Sequence, residues 1–206
     1  SLVGSEMCIR DRMMESMIDG ITPSRAEVND VANAVMDGAD AVMLSGETSV
    51  GKHPGLVIET MTNIVKKVEE YDDIYNHDYL PIYREERFVS DNICVSAVTL
   101  AESVDAKAII TMTVSGYTAR KISSQRSRAF TYVYTSNRAI LNMLNLVWGV
   151  QAFYYDNSSS TDNNINDIKT SLIDKGVIKK GDFFINIASM PIKLKGKTNT
   201  LKLSQA

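Results

Sequence analysis

The sequence predicts an α/β fold built on a mainly parallel sheet. Three observations point there. Segments with apolar residues spaced three and four apart alternate with short apolar runs, the pattern of helices alternating with strands. One of the runs, Ala39–Leu44 (ADAVML), is apolar at nearly every position, as in a strand buried on both faces. Most successive runs are separated by a helix, and strands joined by a helical crossover lie parallel.

The elements follow in order. Ser24 and Glu27 match a capping box, with Pro23 just ahead of the cap. Val28, Val31, Ala32, Val35 and Met36 then line one helical face, and Gly38 suits the C′ position that ends it. Ala39–Leu44 reads as a buried strand. A glycine-containing loop covers Ser45 to Pro54. A second helix spans 55–70, with Val57, Met61, Ile64, Val65 and Val68 on one side. Residues 71–87 mix tyrosines with charges around Pro81 and read as a linker or domain boundary. A second series opens with a helix over 91–103, a strand over 108–113, a turn at Val114–Gly116 and a helix over 117–125. A strand at 130–134, a helix at 138–145 and a strand at 150–154 come next. A polar stretch at 156–164, where Asn157-Ser158-Ser159 reads as loop rather than as a glycosylation signal, precedes a helix over 165–175. Strands at 182–187 and 198–203 end the chain and fit an antiparallel hairpin. Residues 1–12 show no period of 2 or 3.6 and are assigned no element.

Composition narrows the classes. The 206 residues are 44% hydrophobic and 23% charged, which permits a real buried core. A net charge of −3 argues against a general nucleic-acid or membrane binder. Cys8 and Cys94 lie far apart with no metal-ligand spacing, so reduced thiols in a cytoplasm are expected. No apolar run reaches the roughly 18 residues of a membrane span, and no apolar signal-peptide core stands at the N-terminus.

Several motifs are candidates for chemistry. Gly46, Gly51 and Lys52 match GxxxxGK between a strand and a helix, as in a phosphate-binding loop. The hydroxyl residue that would hold Mg²⁺ is replaced by His53, and Pro54 follows it. Glu15 and Glu47 could serve as acid, base or metal ligand, or pair with a nearby arginine or cap a helix. His53 and His77 are isolated and read as surface groups. The methionines of 13–17 read as core packing. Thr113-Val-Ser-Gly-Tyr-Thr118 joins a strand end to a helix start. Its hydroxyls, its glycine and the N–H groups of the first helical turn could seat a phosphate, with Arg120, Lys121, Arg126 and Arg128 following. An ordinary N-cap turn beside a solvated basic face is the equal alternative.

The block MMESMIDGITPSRAEVNDVANAVMDGADAVMLSGETSVGKHP, residues 13–54, resembles the pyruvate kinase family around its last barrel strands. The resemblance continues through TVSGYTARKISSQRSRA, KKGDF and KTNT. It implies the end of a (β/α)₈ barrel at 13–70, a linker at 71–87 and an α/β/α C-terminal domain of effector-binding type at 88–206. It makes the GETSVGK segment a barrel loop rather than a nucleotide cradle. It implies an enzyme that moves phosphate from phosphoenolpyruvate to ADP with Mg²⁺ and K⁺. The lysine and metal-binding carboxylates of that enzyme belong to earlier barrel strands, so this chain alone is expected to be inactive. Ser45 and Glu47 match the family's LSGET, where the serine stands near the substrate and supports a proton relay. Asp11 stands where the family has a substrate-contacting threonine, and 1–12 read as a non-native or mispredicted start.

The turn of Thr113, Ser115, Gly116, Tyr117 and Thr118 matches the family's effector loop, with Tyr117 where the family often has arginine. Lys195 and Gly196 lie in the other effector-contacting loop, which lacks the glycine-rich run that closes over fructose 1,6-bisphosphate. Lys193, Lys195 and Lys197 could contact a phosphate directly. The resemblance implies a sugar-phosphate or nucleotide effector, a cytoplasmic homotetramer, and no nucleic-acid or membrane partner. A freestanding regulatory module that binds a phosphorylated metabolite without catalysing is the alternative.

Overall fold

A computed structural model of the chain describes residues 9–10, 13–75, 81, 86–155, 161–190 and 198–206. It divides into two compact units, Ser1–Ile74 and Tyr75–Ala206.

The first unit holds β1 (Ile9–Arg10), a 3-10 turn (Glu15–Ile18), α1 (Arg25–Met36), β2 (Ala41–Val42), α2 (Gly46–Ser49), α3 (Pro54–Val68) and a 3-10 turn (Asp72–Ile74). Helix α1 starts at the expected capping box: Ser24 Oγ accepts from Glu27 N–H while Glu27 accepts from Ser24 N–H. It ends at Asp37, with Gly38 at φ 85° beyond it. Helix α3 has proline in its first turn, where a missing N–H costs no intrahelical bond. Met14, Met17, Val31, Ala34, Val57 and Met61 form this unit's core, as the sequence indicates for the methionines.

Three expectations change here. The strand at 39–44 shortens to Ala41–Val42, because its described ladder partner is Ile9–Arg10, paired in parallel. That pairing also puts an element inside 1–12, which was expected to hold none. The loop at 45–54 contains the helical turn α2, closed by Ser49 and Val50 N–H donating to Ser45 and Gly46 carbonyls.

The second unit holds α4 (Phe88–Ser103), β3 (Ala108–Met112), α5 (Tyr117–Ser124), β4 (Phe130–Thr135), α6 (Arg138–Leu144), β5 (Val150–Tyr154), α7 (Thr161–Asp174), β6 (Phe183–Ala188) and β7 (Thr200–Gln205). The sheet order is β5-β4-β3-β6-β7, parallel except for β7, which runs antiparallel to β6. This is the predicted mainly parallel sheet with a terminal hairpin. Alternate residues face opposite layers. Ile109, Ile185 and Ile187 pack with Cys94, Ala97 and Val98 of α4 and Ile122 of α5. Val133 packs with Ile140 and Leu144 of α6 and Ala119 of α5. Ala108, Ile110, Tyr132, Tyr134 and Phe184 meet Ile168 and Leu172 of α7 on the other face.

Element ends shift for local reasons. Helix α4 begins three residues early, since Asp91 N–H donates to Arg87 C=O and closes a turn there. Helix α7 begins four residues early, because a polar Thr-Asp start suits a first helical turn although it reads as loop. Strand β7 starts late, because Asn199 turns aside to bond Met190 at both N–H and C=O, at 2.7 and 2.6 Å. The first-unit boundary at Ile74 falls inside the stretch 71–87, after a 3-10 turn whose Ile74 is buried. His77 and the sequon at 157–159 lie outside the described residues.

Candidate functional site

Two places collect the residues singled out by the sequence, one in each unit. In the first, Ser45 and Glu47 flank the start of α2 just beyond β2. Glu47 is buried, and its Oε2 accepts Ser45 N–H at 2.6 Å. A shallow open cleft is lined by Glu15, Ile18, Ser45, Gly46 and Glu47. It therefore brings together Glu15 and Glu47, which the sequence could not join.

The GxxxxGK segment does not form a phosphate cradle. Such a cradle needs unspent backbone N–H groups. Here Thr48 and Ser49 donate to Ser45 C=O, Val50 and Gly51 to Gly46 C=O, and Lys52 to Ile18 C=O. The Lys52 ammonium pairs with Asp19 at 2.8 Å. Gly51 is needed for packing, since a Cβ there would sit 2.2 Å from Glu47 O.

The second place lies at the carboxyl ends of the sheet strands. Helices α5 and α6 carry the chain outward from β3 to β4 and β5 on one face. Helix α7 returns it on the other face to β6, beside β3. The winding thus reverses between β3 and β6, and open α/β sheets form their ligand crevices at such a point. The loop after β3 is Thr113–Gly116, and Thr198 comes back from the far side of the loop that follows β6.

The turn is built from its own side chains. Thr113 Oγ1 accepts Gly116 N–H at 3.0 Å, and Ser115 Oγ accepts Tyr117 N–H at 3.4 Å. Asn137 reaches across from the start of α6 and donates to Val114 C=O at 3.0 Å. Gly116 has φ 78°, in the left-handed region that favours glycine, and an added Cβ would lie 3.0 Å from Leu144 Cδ2. Arg120 approaches Ser115 C=O at 3.5 Å.

The expected ligand hydroxyls divide. Ser115 is exposed. Thr118 is buried, and its Oγ1 shares a hydrogen bond of 2.9 Å with Thr198 Oγ1. Tyr117 turns its hydroxyl inward to Asp91 Oδ1 at 2.7 Å. Burial, then the bond to Asp91, pushes the Tyr117 hydroxyl up to about 12. Thr113 serves the turn itself. Lys195 and Gly196 lie outside the described residues.

Sequence reasoning missed Arg87, Asp91, Thr198 and Asn199. Asp91 reads from sequence as an ordinary first-turn acid, and only the tertiary approach of α5 gives it another role. Among the described residues, no group of three or more His, Cys, Asp or Glu could hold a metal, and no helix is long and apolar enough to cross a membrane.

Fold and sites together define a two-unit α/β protein whose second unit is a doubly wound, mainly parallel sheet with a hydroxyl-rich turn at its switch point. Comparison with known proteins makes this specific. Residues 91–204 match the family described as "Pyruvate kinase, alpha/beta domain", and residues 2–58 match "Pyruvate kinase, barrel domain". The chain belongs to the pyruvate kinase family. It is 39% identical to a pyruvate kinase of Corynebacterium glutamicum over 193 residues, covering 94% of this chain and 40% of that protein. It is 35% identical to that of Clostridium acetobutylicum over 204 residues, covering 98% and 42%. A Cryptosporidium parvum pyruvate kinase solved in complex with ADP superposes with a TM-score of 0.80 at 29% identity, covering 98% of this chain and 41% of that one. The chain thus spans about two fifths of the length of these relatives. The barrel match begins at residue 2, ahead of Met13, where the sequence resemblance begins.

Proposed function

We propose that the chain is part of a pyruvate kinase, an enzyme that transfers phosphate from phosphoenolpyruvate to ADP, and contributes the last barrel strands and the C-terminal sheet domain. The observation that carries this reading is the ordered match of both family segments, barrel and then sheet domain, along one chain. The likeness to a structure holding ADP supports the acceptor. The whole enzyme would work as a cytoplasmic homotetramer.

Phosphoryl transfer depends on positioning and on neutralising charge, work that Mg²⁺ and K⁺ do in this family. The described residues of this chain do not fit such a metal site. Of the two acids lining the cleft, Glu15 and Glu47, the latter is buried and already accepts Ser45 N–H, and no third His, Cys, Asp or Glu joins them among the described residues. Ser45, exposed beside it, is the residue that would support a water-borne proton relay. Residues 1–206 alone are therefore expected to give no turnover. A coupled pyruvate assay with phosphoenolpyruvate, ADP, Mg²⁺ and K⁺ tests this, and a rate above the protein-free blank would overturn it.

The second unit serves as the regulatory part in this reading. The exposed Ser115 hydroxyl, the α5 N-terminus and the switch-point position support a phosphorylated effector at Thr113–Thr118, of sugar-phosphate or nucleotide type. Ser115→Ala should weaken binding of glucose 6-phosphate or AMP by about 1–3 kcal/mol, the scale of one charged hydrogen bond. Calorimetric titration checks it, and equal affinity would move the site elsewhere.

A further inference from the structure

One turn of α4 holds Tyr117 at two points. The hydroxyl donates to Asp91 Oδ1 at 2.7 Å, and the Arg87 guanidinium lies 4.0 Å from the ring centre. Arg87 is the N-cap of α4, and Asp91 lies in its first turn. Residues four apart share a helical face, and here Arg87 C=O accepts Asp91 N–H within the same turn. Asp91 is only 5% exposed, so its carboxylate needs partners. It finds them on α5, in the Tyr117 hydroxyl and in Lys121 Nζ at 3.4 Å, one turn further along. Cys94 also stands near Asp91. Burial, then the Asp91 charge, pushes its thiol up to about 12, which keeps it neutral there. The Tyr117 hydroxyl likewise stays protonated, and so a donor, at ordinary pH.

We infer that Tyr117 is a positioning residue that couples the crevice turn Thr113–Thr118 to the first turn of α4. The stack on the ring face and the hydrogen bond at the ring tip bear on one rigid side chain. Any displacement of the turn that carries Tyr117 along strains both contacts together. Both contacts sit at the beginning of α4, at its N-cap and in its first turn. A change in the crevice turn is thereby passed to the start of the second unit's first helix. The coupling needs no ligand and stands or falls separately from the effector reading.

Amide hydrogen exchange on the 206-residue chain tests it. Tyr117→Phe removes the tip contact and leaves the ring for Arg87. It should speed exchange about 5–10-fold, the scale of one net hydrogen bond, both in 113–118 and in the first two turns of α4. The strands β3 and β4 should be unchanged. Asp91→Asn keeps an oxygen that can accept from Tyr117 and should preserve most protection in the crevice turn. Tyr117→Phe combined with Asp91→Ala should be no worse in the crevice turn than Asp91→Ala alone, because the two residues share one contact. Faster exchange confined to the turn in Tyr117→Phe, or additive effects in the double variant, would overturn the coupling.

Discussion

Glu27 does more than cap its own helix. Its carboxylate accepts the N–H and hydroxyl of Ser16 as well as Ser24 N–H, and so ties the 3-10 turn to α1. Partial burial pushes its pKa upward, but the hydrogen bonds from Ser16 and Ser24 outweigh that and pull it down to about 2. A carboxylate whose folded pKa lies below its unfolded value contributes stability above the unfolded value and loses it as pH falls toward the folded one. For Glu27 that window runs from 4.5 down to about 2. Glu27→Gln should therefore lower stability by about 1 kcal/mol near pH 6, a figure discounted for solvent screening. The difference should shrink strongly by pH 2, where about half of the folded-state carboxylate is protonated. Urea unfolding at the two pH values measures it, and a gap undiminished at pH 2 would show that charge is not the cause.

At the level of elements, the sequence was most legible where local chemistry sets the outcome. The capping box of Ser24 and Glu27 placed the start of α1, and Gly38 placed its end. The runs rich in apolar, aromatic and β-branched residues located β3, β4, β5 and β6 to within a residue, because such residues bounded by turns mark a strand. Legibility failed where a partner distant in sequence decides. The extent of β2 depends on Ile9–Arg10 and not on the apolar length of 39–44. Helix α7 begins among polar residues that carry no periodic signal. The candidate site divides in the same way. Its turn residues were visible as a cluster of hydroxyls and a glycine. The inward commitment of Tyr117 and Thr118 depended on Asp91 and Thr198, which no local pattern linked to them.

At the scale of the whole molecule, the units differ in how far their sheets extend, two residues per strand in the first against five or six in the second. In the first unit Ile21, Val50 and Ile58 are 62%, 76% and 54% exposed around two-residue strands. Such surface favours association. The second unit closes a five-stranded sheet between helical layers. Its first residue, Tyr75, packs on Trp148 and under Arg128. Residues 75–206 expressed alone should unfold cooperatively as a monomer, while residues 1–74 alone should associate. Sedimentation and thermal unfolding of both pieces check this, and a monomeric, cooperatively folded 1–74 would refute it. The reversal of winding between β3 and β6 also dictates an order of assembly. Strands β3, β4 and β5 can meet through short crossovers, so they can form early. The crevice needs β6 and the returning Thr198, which meets Thr118 across 80 residues of chain. Closing that larger loop costs more entropy. The switch-point crevice is then among the last features to form as the chain folds, and a nascent chain acquires it only once Thr198 has arrived.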